Sequence, residues 1–196
     1  ISPDHIDHHG SFNNYLNAKN RILEANKSIT ENRPFEIFKI ITGNNYQGSI
    51  QLQDLINLPH RLEKIIINNR AVIINDSKST NTDSLKYALS KVSDDSSLHL
   101  ILMGNPDKER YDSFLLSKPQ YLYICGKHAD QLSSKIIHRN KSIFKSLEDT
   151  LKHIHHSFSG NVEILFSPSN PSGRDYKNFE ERGEHFLILA QEIFND

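Results

Sequence analysis

Four apolar runs of strand length punctuate the second half of this chain, at residues 71–74, 98–103, 121–125 and 162–166. The intervening segments read as helices over 82–92, near 109–117, near 128–136, over 146–157 and from about 178 to 194, the first carrying Leu85, Ala88, Leu89 and Val92 at helical spacing. Strands alternating with helices imply an α/β fold, a Rossmann-like and mainly parallel sheet with helices on both faces. Residues 62–67 and 70–74 add a hairpin across the turn-forming dipeptide Asn68-Asn69.

In an open sheet of this kind ligand chemistry collects where strands end and turn over into helices. The stretch Ile74-Asn75-Asp76-Ser77-Lys78-Ser79-Thr80 is such a corner, with Asn81 or Thr82 placed to cap the following helix. It holds a carboxylate, an ammonium and a hydroxyl together, a set suited to a charged, hydroxyl-bearing ligand. Taken alone, the same string also reads as a solvated turn.

Composition removes several function classes. The 196 residues carry 23 Lys and Arg against 24 Asp and Glu, a formal charge of -1, so there is no basic field to release counterions from nucleic acid. Cys125 is the single cysteine, which rules out a disulfide framework or a cysteine-based metal site and fits a reducing cytoplasm. No apolar stretch approaches the length of a membrane span. Residues 25–57 are Asn-rich and weakly patterned, with turns at Arg33-Pro34 and Gly43-Asn44-Asn45 and one expected strand at 36–41.

Several longer strings recur in order. Leu58-Pro59-His60-Arg61-Leu62-Glu63 precedes the corner, while Leu165-Phe166-Ser167-Pro168 and Lys177-Asn178-Phe179-Glu180-Glu181-Arg182-Gly183 follow it. The chain opens on Ile1-Ser2-Pro3-Asp4-His5-Ile6-Asp7-His8-His9-Gly10-Ser11-Phe12, with Tyr15, Ala18-Lys19 and Arg21-Ile22 behind. Together these strings resemble the Mur ligase family, and within it the D-glutamate-adding branch. The resemblance implies a C-terminal domain at residues 58–196, preceded at 1–57 by a remnant of the central ATP-binding domain. It also implies that the chain is a piece of a longer polypeptide or of an interrupted reading frame.

That family moves the γ-phosphate of ATP onto a carboxylate, and an amine attacks the resulting acyl phosphate. The resemblance therefore implies ATP and Mg2+ as cofactors, with UDP-N-acetylmuramoyl-L-alanine and D-glutamate as substrates. Asp76 matches the acceptor of the ribose hydroxyls, Arg61 a nucleotide-binding arginine of the interdomain hinge, and His60 its neighbour in the hinge motif. Lys78 and His60 are the candidate catalytic groups, although a histidine that merely stabilises the hinge turn is an open alternative. Thr80, Lys108, Ser172 and Phe179 match positions that bind the incoming amino acid or orient its neighbours. His5 and Lys19 match a magnesium-serving histidine and a carbamylated lysine; carbamylation supplies an oxygen ligand suited to that hard cation. On residue types alone His5, His8 and His9 are instead spaced for a soft metal, while His153, His155 and His156 fall in the last turn of a helix, where imidazoles suit the dipole.

Two loops depart from the family pattern. Gly104-Asn105-Pro106-Asp107-Lys108-Glu109 adds a proline and an acid where glycines are usual, and Ser167-Pro168-Ser169-Asn170-Pro171-Ser172-Gly173-Arg174-Asp175 differs around its serine. No G-x-x-G-K-(S/T) phosphate loop occurs in the sequence. The expectations are thus a ligase lineage that turns over only with a complementing N-terminal fragment, or a non-catalytic remnant that serves at most as a weak nucleotide or amino-acid binding module.

Overall fold

The computed structural model describes residues 6–24, 36–37, 39–40, 58–92, 97–108, 113–173 and 175–195. The chain divides into two compact units, Ile1–Ile56 and Asn57–Asp196. In the first, α1 (Ile6–His9) leads into α2 (Phe12–Asn20) and a 3-10 turn, Arg21–Glu24. Ser11 caps α2, its hydroxyl accepting from the Asn14 N–H at 3.2 Å. Residues 36, 37, 39 and 40 are helical, so the strand expected at 36–41 is not formed there. Glu36 and Lys39 meet at 3.2 Å, an i,i+3 pairing that a helical turn brings together and an extended strand does not.

The second unit is built on a six-stranded sheet. Its strands are β1 (Glu63–Ile67), β2 (Ala71–Asn75), β3 (Leu98–Met103), β5 (Tyr121–Cys125), β7 (Lys141–Phe144) and β8 (Val162–Ser169). Their order is β1-β2-β8-β3-β5-β7, antiparallel only between β1 and β2. The β1–β2 hairpin turns on Asn68 and Asn69, both left-handed at φ 50° and 53°. Asparagine tolerates that region better than other side chains, and the mirror-image turn it makes matches the twist of paired strands.

Side chains alternate across the sheet and define two cores. Ile73, Ile101, Tyr123, Ile164 and Phe166 pack under α5 (Leu147–Ser157) and α6 (Phe179–Phe194). Ile74, Leu100, Leu102, Leu122, Ile124 and Leu165 pack under α3 (Thr82–Lys91) and α4 (Ala129–Ser134). Both faces are therefore covered, which is why the strands read as continuous apolar runs. Each fully buried Ile or Leu contributes about 2 kcal/mol of transfer free energy. Asn81, Ser146 and Asn178 cap α3, α5 and α6, each accepting from the amide three residues on.

Two expectations fail around the sheet. No helix occupies 113–117; Phe114–Leu115 instead form β4, paired with β6 (Ile136–Ile137). Phe114 and Leu116 face the α3 core while Leu115 is 68% exposed, so these apolar residues alternate with period two rather than 3.6. Strand β7 is an addition to the expected strands: at the sheet edge, with only Ile143 and Phe144 apolar, it carries little sequence signal.

Candidate functional site

Strand β2 feeds α3 on one face of the sheet, whereas its neighbour β8 feeds α6 on the other. Chains leaving adjacent strands in opposite directions open a crevice at their carboxyl ends. Asp76 stands at its β2 wall, its N–H donating to Phe166 O of β8 at 2.8 Å. One carboxylate oxygen accepts from the Ser167 hydroxyl at 2.8 Å and the other from the Leu62 N–H at 3.3 Å. Each oxygen keeps a second lone pair for a ligand donor. Burial pushes the Asp76 carboxyl up to about 6, against the opposing pull of Ser167, the Leu62 amide and Arg61.

The turn before β1 reaches the same place. His60 and Leu62 both have left-handed backbones, φ 62° and 49°, on either side of the exposed Arg61. A non-glycine residue in this region costs about 1 kcal/mol or more, so the surroundings must hold the turn. They do so through Glu63, which accepts from the His60 N–H at 2.9 Å and from Asn75 Nδ2 at 3.2 Å, and through the Lys78 N–H, which donates to His60 O at 3.0 Å. The His60 ring is buried, with Nδ1 2.9 Å from Asn75 Nδ2 and its edge toward Phe179. It packs against Gly183 so closely that a Cβ there would collide with Nδ1.

Lys78 lies beyond the turn, its ammonium 3.7 Å from the centroid of the Phe179 ring. Thr80 is partly exposed beside the α3 cap, and Ser172 is buried in the loop after β8. That loop is bonded to the loop after β3 by the Asn105 N–H to Pro171 O at 3.0 Å. Gly104, at φ 109°, makes the approach possible, since a Cβ there would strike the Pro171 carbonyl. Pro106–Lys108 form a 3-10 turn, so Lys108 follows the end of β3. Asp107, the acid of the Asp-Lys pair, turns toward α4: its Oδ1 accepts from Gln131 Nε2 at 2.6 Å, a bond that lowers the carboxyl's pKa, while the added acid, Glu109, lies outside the described residues.

Six of the candidates, His60, Arg61, Asp76, Lys78, Thr80 and Phe179, thus gather around the end of β2, while Ser172 and the Lys108 backbone stand at the ends of β8 and β3. Lys19 is exposed in the first unit, 5.4 Å from the Tyr15 ring centroid. His5 lies outside the described residues. Among the described residues no group of three or more His, Cys, Asp or Glu is arranged to hold a metal ion. A lysine that is not carbamylated offers a metal no oxygen ligand, and among the described residues Lys19 stands without an acidic partner set around it.

Arg182, near the start of α6, is a structural tie that residue type and helical period do not announce. It is fully buried, donating from Nε to Ser77 Oγ at 3.0 Å, from Nη2 to Ser77 O at 2.7 Å and from Nη1 to Asn170 O at 3.0 Å. One planar guanidinium thereby ties α6 to the loops after β2 and β8. Burial lowers its pKa to about 10, which leaves it cationic at neutral pH. The apolar period of α6 gave no sign that a charged residue points inward.

Comparison with curated proteins yields relatives named UDP-N-acetylmuramoylalanine–D-glutamate ligase. The protein of that name from Buchnera aphidicola subsp. Baizongia pistaciae is 33% identical over 147 residues, 74% of this chain and 33% of its own length. Its counterpart from Buchnera aphidicola subsp. Schizaphis graminum is 34% identical over 146 residues, 72% of this chain and 33% of its own. The chain belongs to the Mur ligase family. It spans about a third of the length of the curated relatives it matches. Among solved structures, the Mur ligase MurF from Thermotoga maritima in complex with ADP aligns with a TM-score of 0.50 at 14% identity, covering 81% of this chain and 36% of that one, and so shares the fold. No family model matches the sequence.

Proposed function

We propose that this chain supplies the nucleotide- and amino-acid-binding domain of an ATP-dependent ligase that adds D-glutamate to UDP-N-acetylmuramoyl-L-alanine in peptidoglycan precursor synthesis. The observation that carries the reading is the meeting of Asp76, Lys78, His60 and Arg61 at the β2–β8 crevice of a chain whose relatives bear that ligase's name. In this role Asp76 accepts the ribose hydroxyls of ATP, while Arg61 faces the nucleotide from the strained turn. Lys78 offers charge to the reacting groups, and His60 holds the turn in place. Thr80, Lys108, Ser172 and Phe179 surround the incoming D-glutamate, where lysine charge and hydroxyl donors suit two carboxylates.

ATP, once bound, supplies the phosphoryl group that turns a carboxylate into a reactive acyl phosphate. Magnesium is assigned through His5 and a carbamylated Lys19 on resemblance alone. The ionised form of Asp76 is the acceptor, so nucleotide affinity rises as pH passes upward through about 6. These 196 residues contain no phosphate-cradling loop. Turnover accordingly requires a complementing N-terminal portion, and the setting is the cytoplasm, where such precursors and ATP occur. No helix among the described residues is long and apolar enough to cross a membrane.

The test is co-expression with the N-terminal and central portions of a related ligase, followed by assay for ligation with ATP, magnesium, UDP-N-acetylmuramoyl-L-alanine and D-glutamate. Ligation that Asp76→Asn and Lys78→Met each abolish supports the proposal. An assembled complex that does not turn over favours the non-catalytic remnant, whether or not it still binds ATP.

A further inference from the structure

The Lys78 ammonium sits 3.7 Å from the Phe179 centroid, well inside the reach of a cation–π contact. Three constraints fix that ring. Phe179 is the first residue of α6, entered through the Asn178 cap. Its carbonyl accepts from the Ser77 hydroxyl at 2.8 Å, in the same turn that carries Lys78. The His60 ring meets it edge-on, with centroids 6.3 Å apart and planes at 76°. His60 also holds the Lys78 N–H through its carbonyl at 3.0 Å. The lysine is thus gripped at both ends, at its amide by the strained turn and at its charge by a ring which that turn supports.

A half-buried lysine with a flexible four-carbon stem would otherwise spread over many rotamers. We propose that Phe179 is a positioning residue, its ring face holding the Lys78 ammonium at the mouth of the crevice, with His60 bracing the ring. The inference rests on the reading of Lys78 as the crevice's working cation. It gives the Phe179 side chain a task distinct from touching the amino acid.

Nuclear magnetic resonance of the whole chain tests this without turnover. The terminal methylene protons of Lys78 lie over an aromatic face, so they resonate upfield of those of the other lysines; Phe179→Tyr preserves the displacement and Phe179→Leu removes it. Titration with D-glutamate supplies the functional readout. Affinity falls about fivefold in Phe179→Leu and holds in Phe179→Tyr. A chain carrying 3,4,5-trifluorophenylalanine at position 179 keeps the shape but loses the negative ring face, so it binds as weakly as the leucine variant. Lys78 protons at the position of the other lysines, or full affinity in the trifluoro chain, overturns the inference. If the unaltered chain does not bind D-glutamate, the proposed function fails instead, and the positioning stands or falls on the ring-current displacement.

Discussion

Replacing Arg182 with methionine removes the tie between α6 and the two loops that frame the crevice. The side chain's volume and apolar stem are kept, while three donated hydrogen bonds are lost. Two of the acceptors, Ser77 O and Asn170 O, belong to buried residues and find no replacement donor in the apolar thioether. A buried acceptor left unmatched costs about 1–3 kcal/mol, and relief from burying the guanidinium charge offsets part of the sum. The expected net loss is about 3 kcal/mol. In urea, with a slope of about 2 kcal/mol/M for a unit of this size, the midpoint falls by about 1.5 M with no change of slope. Far-ultraviolet circular dichroism measures it. Arg182→Lys keeps the charge but cannot span the fork of acceptors, so it recovers less than half of the loss. A midpoint for Arg182→Met within about 0.3 M of the unaltered chain would refute the claim that this guanidinium joins the loops.

Ser79 presents a buried hydroxyl with no partner, so Ser79→Ala stabilises the fold by about 1 kcal/mol, read as a higher urea midpoint. Gly183→Ala drives a methyl into the His60 ring and costs about 2 kcal/mol, and the same variant shifts the His60 resonances. His99 is buried between Tyr121, Tyr123 and Phe158, and desolvation, with His153 nearby, lowers its pKa to about 4. The unfolded imidazole titrates near 6.5, so the unfolded state binds the extra proton first and stability falls by about 3 kcal/mol as pH drops from about 6.5 to 4. His99→Phe removes this slope in unfolding curves taken across that range. Asp76 acts oppositely: its raised pKa means that the folded state holds a proton that the unfolded state releases, so its contribution is lost as pH rises from about 4 to 6. Asp76→Asn therefore steepens the acid loss, and a curve left unchanged would contradict the buried carboxyl.

The sheet was legible because burial on both faces leaves continuous apolar runs, and Asn81 was legible as a cap because it precedes a periodic stretch. Asn68-Asn69 announced its hairpin through backbone chemistry that few residues share. The segment 113–117 misled because a three-residue alternation is too short to separate two periods. The corner at Asp76 declared itself as a strand end rich in polar groups, but its partners did not. Ser167 and Leu62 reach Asp76 from 91 and 14 positions away, and Arg182 reaches Ser77 from 105 away. The Leu62 contact follows from the β1–β2 hairpin, and the other two come from the crossing of β8 between β2 and β3, which no local pattern encodes. Asp107 is a similar case: only its bond to Gln131, 24 positions away, reveals that it faces α4.

Mapping ATP onto the chain by amide chemical-shift changes tests the central claim most directly. The account predicts saturable shifts confined to the carboxyl ends of β2 and β8, at Asp76 to Ser79 and at Phe166 and Ser167, with Arg61 and Leu62 joining them. Shifts gathered at the opposite end of the sheet, in the cavity of about 290 Å³ lined by Asn68, Arg70 and His155, or no saturable shifts at all, would contradict it.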